Sequence, residues 1–179
     1  MERKEMKKLT LYLNHDQDIP LNRQLNIENS EFVSQNKIDE VMALVNSINF
    51  TPITFKLEKE YAWSKESLMM VVPLYKQWLA LQACYETYSI APSTFIDEFW
   101  HMHILDTRKY MEDCQLVFGK YLHHFPYFGL RSEQDEQELN EGFELTKKLY
   151  KHHFNVESLT DNAKEAGCGR CSGGPNSCR

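Results

Sequence analysis

The chain has 179 residues, 42% of them hydrophobic and 26% charged, a balance that suits one globular domain with its own core and excludes a disordered chain. No apolar run approaches the roughly 18 residues of a membrane span, and Met1-Glu2-Arg3-Lys4-Glu5 leads into no apolar signal segment, so the sequence predicts a soluble, cytoplasmic protein without a membrane partner. The net charge of -6 argues against nucleic acid as a partner and leaves a protein partner open.

Residues 1–30 read as an N-terminal arm, in which Leu9, Leu11 and Leu13 alternate with Thr10 and Tyr12 as in a short strand or an extended segment. A helical domain is predicted over 31–157. In its first helix Val41, Leu44, Val45 and Ile48 recur at spacings of three and four. Thr51-Pro52 ends that helix, because proline disfavours helical geometry in the residue before it. Ser64 caps a second helix with a stripe of Leu68, Val72, Tyr75 and Leu79. Pro73 inside it predicts a kink or a break, since the ring clashes with the carbonyl of Met69.

A third helix is predicted from Ser93 or Thr94 to about Phe118, with Gly119 as its stop and with Trp100 and Tyr110 buried. The aromatic stretch from Tyr121 to Gly129, with Pro126, reads as a packed loop. A fourth helix begins at Ser132. Glu133, Asp135 and Glu136 crowd its start, and Lys147, Lys148 and Lys151 its end, which matches the helix dipole at both termini. Its stripe of Leu139, Phe143, Thr146 and Tyr150 is expected to face the third helix. The predicted fold class is all-α, a small bundle of about four main helices.

The rest, 158–179, is predicted to be a flexible tail rich in cysteine and glycine. Cys168, Cys171 and Cys178 and four of the seven glycines fall in the last thirteen residues. One Cys-x-x-Cys pair is half of a zinc site, so these three cysteines are candidate metal ligands, with a solvated tail of no single role as the alternative. Cys84 and Cys114 lie in apolar helical patterns and read as buried thiols.

The segment 97–124 holds four of the seven histidines, and histidine is the commonest metal ligand. Residues two apart on a helix diverge by about 200°, so His101 and His103 do not chelate one ion from a regular helix. One ligand set takes Asp97 and His101, four apart on a face shared with Arg108, plus a loop histidine. The other takes His103 and Asp106, again with a loop histidine. His124 is favoured over His123 because Phe125 and Pro126 would hold its ring. The expected ion is zinc or another transition metal. Against both stands a polar core, with His103 bonded to a carboxylate such as Asp106 and with Asp97, His101 and Arg108 as a salt-bridged cluster. That reading makes the protein a non-catalytic structural or partner-binding module. No phosphate-binding loop and no nucleophile elbow occurs, so no residue is assigned to catalysis.

The run Asp97-Glu-Phe-Trp-His-Met-His-Ile-Leu-Asp-Thr-Arg-Lys-Tyr110, then Asp113-Cys114 and His123-His124-Phe-Pro-Tyr-Phe-Gly129, resembles the bacterial glycine-rich domain-containing protein-like family. A related Trp-His-x-His segment occurs in plant glycine-rich domain proteins, which are associated with stress responses and proposed RNA binding. The resemblance covers roughly residues 35–155 and implies an uncharacterised helical domain with no established activity or cofactor. It implies a shared role for Asp97, Trp100, His101, His103, Tyr110, Asp113 and Cys114.

Overall fold

The computed structural model describes residues 23–159. The chain there forms six α-helices and no strand: α1 (Gln35–Asn46), α2 (Thr51–Tyr61), α3 (Lys65–Cys84), α4 (Thr94–Leu105), α5 (Thr107–Phe118) and α6 (Glu133–Phe154). The all-α class holds, but six helices replace the expected four. The predicted N-terminal arm with Leu9, Leu11 and Leu13, and the cysteines Cys168, Cys171 and Cys178, lie outside the described residues.

Two local causes account for the extra helices. Thr51-Pro52 both follows one helix and begins another. Pro52 sits in the first turn of α2, where no backbone N–H is required, and Asn49 Oδ1 accepts from the Thr51 N–H. The predicted third helix divides at Asp106, whose ψ of 69° leaves the helical region and turns the chain from α4 into α5. Pro73, by contrast, does not break α3, which runs unbroken for 20 residues. The carbonyl it orphans belongs to Met69, on an exposed face where water can serve it.

Serines at 34, 64, 93 and 132 cap α1, α3, α4 and α6, each accepting a backbone N–H from the first turn. Gly119 closes α5 in the left-handed conformation at φ 66°. The central helix is α3, which lies against α1, α4, α5 and α6. Tyr75, Trp78, Phe99, Tyr110 and Tyr150 are fully buried around it, and Trp100 nearly so. The buried stripe of α6 is Gly142, Leu145, Thr146, Leu149, Tyr150 and His153. Leu139 and Phe143 are only half-buried, so the expected stripe is turned part-way round the helix. It lies against α3, where Tyr150 donates to the Leu74 carbonyl.

The ends of the described chain join the same core through Ile27 and Leu159, both buried. Gln24 makes one parallel bridge to Tyr88. His153 of α6 is bonded through Nε2 to the Tyr85 hydroxyl (2.6 Å) and through Nδ1 to Gln35 Oε1 (3.2 Å). Cys114 is buried as expected, and Cys84 is half-buried.

Candidate metal centre

α4 presents Asp97 and His101 one turn apart on one face. Asp97 lies in the first turn, where the helix dipole favours a carboxylate. His101 Nδ1 stands 3.3 Å from Asp97 Oδ2. The third donor comes from the loop after α5, with His124 Nε2 standing 3.3 Å from Asp97 Oδ1. Ligand atoms of the three side chains all lie within 4.8 Å of one another. The His124 ring rests edge-on against both Trp100 and His101, with centroids 4.5 Å away in each case. His123 points outward, exposed, against Tyr121. Further along, Asp135 accepts from the backbone N–H of Gly129 and of Arg131 and pairs with the Arg131 guanidinium, which closes the loop.

The side chains are 43% (His101), 32% (Asp97) and 16% (His124) exposed, so the cluster opens to solvent on the His101 side. Desolvation lowers the His101 pKa, Asp97 opposes this, and His124 adds to it. The shift favours the neutral ring, the form a metal needs. Two imidazoles and one carboxylate suit zinc and related divalent transition metals. His101 and His124 reach opposite oxygens of Asp97, Oδ2 and Oδ1, so the carboxylate lies between the two imidazoles.

His103 faces the other way. It is 1% exposed, and both ring nitrogens are taken: the Tyr75 hydroxyl lies 2.8 Å from Nδ1 and Asp113 Oδ2 lies 2.9 Å from Nε2. Lys109 Nζ lies 2.7 Å from the same Asp113 oxygen. Burial pushes the His103 pKa down to about 4, although Asp113 pulls it up. A neutral ring that donates from Nε2–H to Asp113 and accepts from Tyr75 satisfies every partner. The expected ligand set of His103 and Asp106 is thereby corrected: no ring lone pair remains, and Asp106 is an exposed residue at the helix break. The expected carboxylate partner was Asp106; the structure supplies Asp113. Arg108 lies exposed on α5, off the Asp97–His101 face. Tyr75 carried no sequence signal as a partner, because 28 residues separate it from His103. The Asp113-Cys114 motif did carry one.

Residues 40–165, more than half of the chain, match the UCP032817-like family, and the chain belongs to that family. The match corrects the resemblance to glycine-rich domain proteins: the family shown is this uncharacterised one, and no glycine-rich domain family is. No curated protein and no solved structure matches the chain.

Proposed function

We propose that this member of the UCP032817-like family binds one divalent transition metal ion, zinc by preference, through Asp97, His101 and His124. The observation that carries the reading is the pair of 3.3 Å imidazole–carboxylate contacts at one solvent-open point. They are longer than the 2.9 Å bond that His103 makes to Asp113, so neither imidazole is held tightly by the carboxylate, and ligand atoms of all three side chains lie within 4.8 Å of one another. A neutral His101 adds to it, as does a donor set assembled from residues 27 apart in sequence. Three protein donors leave room for a fourth ligand from solvent, and a bound zinc would supply Lewis acidity there. Cys168, Cys171 and Cys178 are a second candidate donor set for zinc.

The test is elemental analysis and zinc titration of the full chain after chelator treatment. One equivalent should bind, should disappear with His101→Ala or His124→Ala, and should survive serine replacement of Cys168, Cys171 and Cys178. Zinc that follows the cysteines and ignores both histidines would sink the helix site. The competing reading, a metal-free structural or partner-binding module, is favoured at His103, where a polar core network is what the geometry provides. It forecasts no retained zinc in any preparation.

A further inference from the structure

The loop segment that carries His124 is pinned from beneath by residues that are not donors themselves. Trp100 Nε1–H donates to the Tyr110 hydroxyl at 2.9 Å, and that hydroxyl donates onward to the Leu122 carbonyl at 2.6 Å. The Leu122 backbone also hydrogen-bonds the Cys114 thiol. Leu122 lies two residues before His124, and the Trp100 ring is the wall on which His124 rests. One relay thus fixes both the wall and the loop. Tyr110 is fully buried, and burial, with Cys114 beside it, pushes its phenol well above the usual range, so the hydroxyl keeps its proton and remains a donor.

We propose that Tyr110 is a positioning residue of the metal centre: by receiving Trp100 and gripping Leu122, its hydroxyl sets where His124 Nε2 stands relative to Asp97. The consequence for metal rests on the Asp97–His101–His124 reading; the placement of His124 does not. Without the hydroxyl, the Leu122 carbonyl and the Trp100 N–H each lose a partner, and the loop is free to shift. Outer-shell losses of this kind lower metal affinity by about 10–100-fold.

The matched control is Tyr150, also fully buried, whose hydroxyl donates to the Leu74 carbonyl where α6 meets α3. Tyr110→Phe and Tyr150→Phe each delete one buried phenol–carbonyl bond, so a merely structural role would make them behave alike. In the metal-free full chain, the His124 ring resonances should move in Tyr110→Phe, as the ring leaves its place against Trp100, and stay put in Tyr150→Phe. Cobalt(II) titrations followed by visible absorption should show affinity lower by about 10–100-fold in Tyr110→Phe only. Unmoved His124 resonances, or equal cobalt losses in the two variants, would overturn the proposal. A wild-type chain that takes up no cobalt sinks the metal reading instead, while the ring shift still decides whether Tyr110 places His124. Should Tyr110→Phe not fold, replacing the Trp100 indole by benzothiophene, which keeps the ring against His124 and removes only the N–H donor, should move His124 by a smaller amount, and unmoved His124 resonances would overturn the proposal.

Discussion

His101 and His103 stand two residues apart on α4, and the helix turns them to opposite environments. His101 is 43% exposed, with a carboxylate and a second imidazole at 3.3–4.5 Å and no partner that saturates its ring. His103 is 1% exposed, between a tyrosine and an aspartate at 2.8 and 2.9 Å, both nitrogens used. The same side chain is therefore suited to exchange on one face and to structure on the other. The difference lies in whether a nitrogen remains unspent, a matter that side-chain type does not settle and geometry does.

The sharpest break in this comparison comes from removing the inner histidine. His103→Ala leaves the Tyr75 hydroxyl and Asp113 without a partner in a closed core and opens a void. The expected loss is about 3–5 kcal/mol of stability, read by urea unfolding. At a temperature where the variant is folded, zinc affinity should be unchanged. A loss below about 1 kcal/mol would mean that the network contributes little and that the inner face is not the structural one.

Acid sharpens the same contrast at the other buried imidazole. Burial, with His152 beside it, holds His153 down to about 4, against an ordinary value near 6.5. The unfolded chain thus binds the proton first as pH falls. The stability held by a neutral His153 is complete above pH 6.5 and is lost progressively toward pH 4, on the order of 3 kcal/mol. His153→Gln, which keeps a polar group between Tyr85 and Gln35, should flatten that part of the stability profile. An equally steep profile in the variant would place the acid sensitivity elsewhere.

At the outer face the expectation reverses. His101→Ala and His124→Ala should each weaken zinc binding by about 100-fold or more, equivalent to about 2.7 kcal/mol, while metal-free stability changes by about 1 kcal/mol or less. Competition titration against a chelator of known strength measures the first, and urea unfolding the second. Two variants that unfold the protein without changing zinc uptake would exchange the roles of the two faces.

The sequence carried much of this, for stated reasons. Capping serines at 64, 93 and 132 and the stop at Gly119 are local signals, and the helices obey them. The divergence of residues two apart on a helix is a geometric rule, and it separates His101 from His103 before any coordinate is known. What escaped was either ambiguous locally or distant in the chain. Pro52 is as compatible with a helix start as with a stop, so α2 was hidden behind it. Asp106 is hidden as a break because Tyr110 and Cys114 recur beyond it at helical spacing, and a single long helix put Asp106 in the place that Asp113 holds. The choice of Tyr75 as partner depends on how α3 crosses α4, which no spacing within either helix encodes.

The smallest effect is expected at His123, and it tests the loop most directly. His123 and His124 are adjacent in the loop after α5, and their side chains point to different sides. The structure turns His124 against Trp100 and leaves His123 exposed, against the Tyr121 ring. His123→Ala removes no buried area and no donor near Asp97. Stability should stay within about 0.5 kcal/mol, as for a surface substitution, and zinc affinity within about twofold. The substitution differs from His124→Ala by a single position, so the pair isolates side-chain direction from composition and local charge. If His123→Ala lost zinc and His124→Ala kept it, the loop would present the other imidazole to Asp97, and the relay through Leu122 would not be what places His124. Equal losses from both would mean that the loop supplies imidazole without a fixed direction, and the contrast between an ordered outer site and an ordered inner network would disappear.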